Sequence, residues 1–174
     1  MNTAAAINSA VRFVALLIVQ VFVFNQVAWG WGGRDYLFVF VYPLFVAMLP
    51  LRTPRPVVIL LSFLLGLGID FFSETLGLHA GALVFTAYAR PLILQLVQPR
   101  DGYNIKAQPT VADLGSSWML RYLALILIVH LLVFFLLQTF SIFFFTDIVL
   151  KTLLSFPASM LVVVILILIF NPKA

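Results

Sequence analysis

The sequence predicts an all-α membrane protein with six transmembrane helices in one compact bundle. The chain of 174 residues is 64% hydrophobic and only 9% charged, whereas a soluble domain carries about 25% charged residues. Its apolar runs are too long for the period-two strands of an outer-membrane barrel. Polar and proline-containing turns divide these runs into six segments, so the chain is expected to be a single polytopic domain over residues 1–174.

The six predicted spans differ in how clearly their ends are marked. They are expected at residues 12–29, 36–49, 57–72, 78–97, 118–137 and 152–170. The second span is the weakest, because it is shorter than the roughly 20 residues that normally cross a bilayer and contains Pro43. We therefore expect it to be kinked or shielded by its neighbours. Residues 51–56, with two arginines and two prolines, end it decisively.

Four further features of the sequence lead to specific predictions. Residues 30–35 are predicted to form a tight polar turn after the first span. Pro91 is expected to kink the fourth span or to mark its end. The aromatic-rich residues 138–145 extend the fifth apolar run beyond the length of one span and are predicted to lie along the membrane interface. Residues 99–117 form the one long polar segment, which is too short for a catalytic domain.

The positive-inside rule orients the six spans, because cytoplasmic loops carry an excess of Lys and Arg. Six spans place both termini on one side, and only Arg34 and Lys151 fall on the other side. The eight basic residues on the side of the termini are Arg12, Arg52, Arg55, Arg90, Arg100, Lys106, Arg121 and Lys173. The expected arrangement is therefore a multi-pass protein with both termini in the cytoplasm.

Residues 66–81 concentrate glycines and polar side chains inside this apolar chain. On a helix, Ser62, Gly66, Asp70 and Ser73 share one small, polar face, and a turn is expected at residues 73–76. The next helix opens with Gly77-x-x-x-Gly81, a spacing that lets helix backbones approach closely in lipid. The candidate site is this helix-packing and turn motif, whose members are Gly66, Gly68, Asp70, Ser73, Gly77, His79 and Gly81.

Asp70 is the sharpest functional candidate, because a carboxylate within a span costs roughly 2.5–3.5 kcal/mol on insertion scales. It is expected to cap the turn or to bond a neighbouring helix, with ion or proton transport as the alternative. His79 lies nine residues later and is close enough in sequence to meet Asp70 across the turn. His130 lies in the middle of the fifth span and is expected to bond a neighbouring helix.

Catalytic and cofactor chemistry finds little support in the sequence. The chain has no cysteine, so it has no disulfide framework and no thiolate nucleophile. Its two histidines lie in different segments and offer no zinc-ligand spacing. It contains no phosphate-binding loop and no nucleophile elbow. We expect no enzyme activity, no cofactor, no metal and no nucleic-acid partner.

The central pattern, Gly-Leu-Gly-Ile-Asp-Phe-Phe at residues 66–72 followed by Leu-Gly-Leu-His-Ala at residues 76–80, resembles that of the rod shape-determining protein MreD family. The resemblance extends over the whole chain in size and hydropathy. It implies a bacterial inner-membrane protein whose fold is similar to the six-helix substrate-binding subunits of energy-coupling-factor vitamin transporters.

The resemblance to MreD also implies a function, which is scaffolding of the cell-elongation machinery. Members of the family bind the single-span protein MreC, and through it the actin-like MreB, the polymerase RodA and a penicillin-binding transpeptidase. They maintain rod shape by linking the cytoskeleton to peptidoglycan synthesis. Membrane lipid is the other expected partner, and the Gly77-x-x-x-Gly81 pattern also allows a homo-oligomer.

Two other functions stay open at this point. A substrate-binding subunit of a small vitamin transporter would need a polar pocket at the outer ends of the helices, for which Asp70, Glu74, His79 and Trp29 are candidates. A small ion- or proton-coupled transporter would depend on Asp70 and His130.

Overall fold

The structure, a computed structural model, describes residues 3–32, 34–104, 107–140 and 142–170. Lys106, Lys173 and the rest of residues 171–174, for which the sequence predicts cytoplasmic positions, lie outside these ranges. The described elements are α1 (Thr3–Phe22), β1 (Ala28–Trp31), β2 (Arg34–Phe38), α2 (Pro43–Met48), α3 (Arg55–Ser73), α4 (Leu78–Leu96), α5 (Val111–Leu114), α6 (Ser116–Thr139) and α7 (Phe145–Phe170).

Four stretches of the described chain are helical, long and apolar enough to cross a membrane. They are Ile7–Gln26, Arg55–Ser73, Ser116–Thr139 and Phe145–Ile169. The fold is thus mostly helical and membrane-like, as predicted. Helix α4 is as long as α3, with 19 residues each, but His79 and Arg90 lower its mean hydropathy, and it is not among the four.

The boundaries of α3, α4 and α6 lie within two residues of the predicted spans. Helix α4 contains Pro91 in its interior and continues to Leu96, so this proline does not end the helix. Helix α1 ends at Phe22, seven residues before the predicted end of the first span. A single 3-10 turn, Phe24–Gln26, follows it.

The prediction of a helix over residues 36–49 is wrong. Tyr36 lies in strand β2, the chain stays non-helical up to Tyr42, and only Pro43–Met48 form a helix, of six residues. The local sequence explains this result, because residues 36–42 are all aromatic, β-branched or leucine, and most of them favour extended backbone. Pro43 is preorganised for the first helical position, and Pro50 follows the last helical turn.

To the predicted all-α fold, which is mostly helical as expected, β1 and β2 add a two-stranded antiparallel sheet. Ala28 pairs with Phe38 and Trp29 with Leu37, with a register shift after Trp29. The turn predicted at residues 30–35 is therefore shorter than expected, because β1 extends to Trp31 and β2 begins at Arg34. The aromatic and β-branched residues on both sides of the glycine-rich tip favour the pairing.

The connection between α6 and α7 also departs from the prediction. Helix α6 continues to Thr139 and α7 already begins at Phe145, while the expected position of residues 138–145 along the interface stays a prediction. Phe140 ends α6 in the left-handed conformation with φ +47°. Ile142–Phe144 form a short 3-10 turn. The seventh helix therefore starts seven residues before the predicted sixth span.

The helices define two ends of the bundle. The turn end contains the α3–α4 turn, with Ser73 hydrogen-bonded to Asn25 beyond the end of α1. The arginine end contains Arg12 and Arg90, which bond the backbone of residues 48–50. Between the two ends lies a core of buried Leu, Ile, Val, Phe and Tyr side chains from α2, α3, α4, α6 and α7.

Candidate functional site

Asp70 is buried and caps the start of α4. Its Oδ1 accepts hydrogen bonds from the Thr75 hydroxyl at 2.5 Å and from the backbone N–H of His79 at 2.9 Å. Its Oδ2 accepts from the backbone N–H of Ala80 at 2.9 Å. The first backbone N–H groups of a helix have no partner within the helix, and negative charge is favoured at this end. A carboxylate in α3 thus satisfies the first turn of α4.

The His79 ring completes this cluster. Its Nδ1 lies 2.9 Å from Asp70 Oδ1 and 3.1 Å from Thr75 Oγ1. Since a carboxylate only accepts, His79 Nδ1 carries a hydrogen and donates it to Asp70. The Asp–His contact expected from the sequence is therefore formed, and it lies within a helix cap.

Two positive-φ residues shape the turn between α3 and α4. Glu74 ends α3 with φ +55°, and its N–H bonds to the Asp70 carbonyl. Gly77 precedes α4 with φ +79°, a conformation that glycine adopts without a steric penalty. Glycine at residue 77 is thus explained by the turn. No neighbouring atom lies within 4 Å of the position that a Cβ would take there.

The close approach of α3 and α4 occurs at Gly66. A Cβ on Gly66 would lie 2.4 Å from the Cα of Ala80, so the two backbones touch at this point. At Gly81 a Cβ would meet only the tip of the Leu137 side chain, at 3.2 Å. The interpretation of Gly77 and Gly81 as a backbone-packing pair is therefore wrong. Gly66 performs that role, which brings the N–H of Ala80 within reach of Asp70.

The remaining members of the motif connect the turn to α1. Gly68 faces α1, where a Cβ would lie 2.7 Å from Leu17 Cδ1. The Ser73 hydroxyl donates to the Ile69 carbonyl at 2.7 Å and accepts from Asn25 Nδ2 at 2.5 Å. The predicted small and polar face of α3 thus divides its contacts between α4 and α1.

A cavity of about 400 Å³ opens beside this turn, within the range of small-molecule sites. Of the four residues expected to line a pocket, Glu74 and His79 do so, whereas Asp70 and Trp29 are not among its lining residues. The polar lining consists of side-chain amides, hydroxyls, Glu74 and His79, and the apolar lining is largely phenylalanine. These residues are Gln20, Val21, Phe24, Asn25, Gln26, Phe38, Val39, Phe40, Phe72, Ser73, Glu74, Thr75, Leu78, His79, Phe134 and Gln138.

His130 forms a second buried polar cluster, with partners on two other segments. The Thr86 hydroxyl donates to the Ala82 carbonyl at 2.7 Å. It therefore accepts from His130 Nδ1, which lies 3.0 Å away. The other ring nitrogen, Nε2, accepts from the Tyr42 hydroxyl at 2.7 Å. Both nitrogens are satisfied by neighbouring segments, which is the helix-bonding role that the sequence led us to expect.

Residues 38–49, the crossing segment, run between the two ends of the bundle as an extended stretch up to Tyr42, followed by the short helix α2. In its extended part, backbone groups bond to side chains from other helices. Gln20 donates to the Val39 carbonyl at 3.1 Å and accepts from the Val41 N–H at 2.9 Å. Ser155 and Ser159 of α7 accept from the N–H groups of Phe38 and Phe40 at 3.0 and 2.9 Å.

The far end of the crossing segment is held by Arg90 of α4. The buried guanidinium donates to the Leu49 carbonyl through Nη2 and to the Tyr122 hydroxyl through Nε, at 3.0 Å. Tyr122 in turn donates to the Ala47 carbonyl at 3.4 Å. The last carbonyls of a helix lack partners within the helix, and basic groups are favoured there. Arg90 thus binds at the end of α2.

Sequence reasoning missed the crossing segment and the residues that hold it. Gln20, Ser155 and Ser159 are almost completely buried, and they lie in apolar runs that were interpreted only as spans. A signal was present, since a buried polar side chain in a span usually has a partner. Proline within the short second span pointed to the same place, because irregular backbone at membrane depth must be satisfied by protein.

The geometry of these clusters is that of structural hydrogen bonding. Among the described residues, Asp70 and His130 have their partners in backbone, hydroxyl or ring groups. The same residues contain no group of three or more His, Cys, Asp or Glu side chains placed to hold a metal ion. Comparison with family profiles, curated proteins and solved structures finds nothing that matches the chain.

Proposed function

We propose that this protein is a non-catalytic scaffold of the bacterial cell-elongation machinery, similar to MreD. Its place would be the inner membrane, where it would bind MreC and, through it, MreB, RodA and a penicillin-binding transpeptidase. The proposal starts from the sequence resemblance at residues 66–80. The Asp70 cap supports it, because an Asp and a His of the shared pattern have a structural role that a scaffold would need.

Helix α1 provides the observation that carries the proposal. It is the least buried of the four candidate spans, and one stripe of apolar side chains along it is exposed. The members of this stripe are Ile7, Val11, Val14, Ile18 and Phe22. The first four follow the 4-3-4 spacing of a coiled-coil seam and are all β-branched, which suits pairing with one further helix. A single-span partner such as MreC supplies such a helix.

The proposed topology has six membrane crossings, with both termini in the cytoplasm. The crossing segment serves as the second of them, because side chains of α1, α4, α6 and α7 bond its backbone along the way. Helix α4 is the fourth, paired with α3. The excess of basic residues at the arginine end supports a cytoplasmic position for that end.

Site-specific crosslinking tests the proposal, since the chain has no cysteine of its own. A single cysteine at Val14 or Ile18 should crosslink to cysteines along the transmembrane helix of MreC in native membranes. Leu92, an exposed residue of α4, is the matched control and should not crosslink. Crosslinking that is equal at Val14 and Leu92, or that is absent from both, would contradict docking on α1.

The cavity at the turn end supports a second candidate, a substrate-binding subunit of a small vitamin transporter. Its size and its aromatic and amide lining suit a small planar ligand. Purified protein should then bind one small vitamin, and Phe134→Ala should weaken binding by removing a ring from the lining. Failure of a panel of vitamins to bind, measured by calorimetry, would count against this candidate and leave the scaffold proposal untouched.

A further inference from the structure

A second depression, the α1–α7 groove, lies toward the arginine end. It has a volume of about 360 Å³ and lies between α1, α2 and α7. Ten described residues line it: Asn8, Val11, Arg12, Ala15, Leu16, Val19, Leu44, Met48, Leu166 and Ile167. Eight of the ten are apolar and none carries a carboxylate. The groove is therefore apolar except at one end, where Asn8 and Arg12 lie one helical turn apart.

Arg12 is half-buried and poorly satisfied for a guanidinium. It has five N–H donors, and its hydrogen bond to the described residues is a single long one, to the Met48 carbonyl at 3.4 Å. Burial lowers the stability of a charge unless an opposite charge or several acceptors accompany it. Among the described residues, the groove thus combines a cation that has one long hydrogen bond with an apolar channel that leads away from it.

We infer that the α1–α7 groove binds one anionic phospholipid, whose phosphate contacts Arg12 and Asn8 and whose acyl chain lies along the apolar residues. The charge complementarity is direct, because a guanidinium matches a phosphate in a bidentate geometry. Anionic lipids are abundant in the cytoplasmic leaflet, and basic pockets between helices on that side bind their headgroups. The site shares Val11 with the exposed stripe of α1, but lipid binding itself requires only the groove and lipid.

The choice of a lipid over a protein helix follows from the lining. A partner helix in this groove would have to bury Arg12 against apolar side chains or supply its own acidic residue. A phospholipid offers both required parts in one molecule, a phosphate at the polar end and a flexible chain that fits an irregular channel. A free inorganic phosphate would satisfy Arg12 but leave the apolar length of the groove unfilled.

Native mass spectrometry of the purified protein tests the inference. The protein is titrated in neutral detergent with dioleoylphosphatidylglycerol and with dioleoylphosphatidylcholine, which has the same acyl chains and no net charge. We expect one phosphatidylglycerol to be retained, with an apparent affinity about tenfold higher than that of phosphatidylcholine. Equal retention of the two lipids would overturn the inference, since the groove would then take any acyl chain.

Four variants separate the parts of the site. Arg12→Gln should remove the preference for phosphatidylglycerol, and Arg12→Lys should retain most of it. Ala15→Trp should fill the groove and abolish binding of both lipids. Arg52→Gln is the matched control, because Arg52 is an exposed arginine outside the groove lining, and it should behave like the wild type. A preference that survives Arg12→Gln would disprove the role of Arg12.

A photoreactive residue in place of Ala15 identifies the occupant in native membranes. We expect an adduct with the mass of an anionic phospholipid. An adduct with a protein would show instead that a partner helix occupies the groove, and would overturn the lipid assignment. Ala15 is exposed, so this substitution leaves the core packing intact. Coincident elution of the variants and the wild type in size-exclusion chromatography verifies that each protein is folded.

Discussion

The α3–α4 turn and the crossing segment solve the same physical problem in opposite ways. Both contain backbone groups that no regular helix satisfies. In the turn, one carboxylate satisfies groups nine and ten residues away. In the crossing segment, the partners lie 19 to 119 residues away, on α1, α4 and α7. The turn is a local device with a sequence signature, whereas the crossing segment depends on the completed bundle.

A large effect is expected where the turn depends on contact between two backbones. Gly66→Ala places a Cβ 2.4 Å from the Ala80 Cα, so α3 and α4 must separate and the Asp70 cap is pulled apart. Overpacking of this kind typically costs about 1–3 kcal/mol and occasionally more, and we expect the upper end because the obstacle is backbone. Gly81→Ala is the control, since it meets only a side-chain tip. Equal stability of the two variants in thermal unfolding would refute the close approach.

Substitutions of Asp70 test how much of the stability of the turn depends on one side chain. Asp70→Leu leaves the N–H groups of His79 and Ala80 and the His79 ring without their acceptor, at about 1–3 kcal/mol for each buried donor. Asp70→Asn keeps one acceptor oxygen and should cost less. Chemical unfolding in detergent measures the free energy of unfolding, which should be lowest for Asp70→Leu, higher for Asp70→Asn and highest for the wild type. If the Asp70→Asn protein folds and binds its partner but has lost its function in the cell, the carboxylate charge itself is needed, which would favour a transporter.

Gln20 is the corresponding residue for the crossing segment. Gln20→Leu leaves the Val39 carbonyl and the Val41 N–H unpaired in the core, at about 1–3 kcal/mol for each. Gln138→Leu is the control, because Gln138 is exposed and its hydrogen bond to Lys151 lies at the surface. Thermal unfolding should separate the two variants clearly. If they prove equally stable, the crossing segment does not need the Gln20 side chain.

Ser159 gives the smallest of the four effects and the most closely matched control. Ser159→Ala leaves the Phe40 N–H without its acceptor, with an expected loss of about 1–3 kcal/mol. Ser62→Ala, also fully buried, removes only a bond to the carbonyl of the preceding turn of its own helix, and should change stability little. Similar unfolding midpoints for the two variants would show that the long-range bonds contribute no more than local ones.

This contrast explains which parts of the molecule could be predicted. The bounds of α3, α4 and α6 and the Asp70–His79 contact follow from local patterns, namely apolar length, glycine and a polar turn. The extended crossing segment could not be derived, because its backbone partners Ser155 and Ser159 are separated from it by more than 100 residues. The sequence placed Gly66 on a small, polar face of α3 but did not identify it as the point of backbone contact. The Gly77-x-x-x-Gly81 spacing suggested that contact instead.

The long-range bonds of the crossing segment also constrain how the protein is made. The ribosome completes residues 38–49 well before Ser155 and Ser159 of α7 are synthesised. Until α7 arrives, the N–H groups of Phe38 and Phe40 lack their native acceptors, and each unsatisfied group in hydrocarbon costs several kcal/mol. If this segment crosses the membrane as proposed, the first half of the chain cannot reach its final form in lipid before the last helix is made.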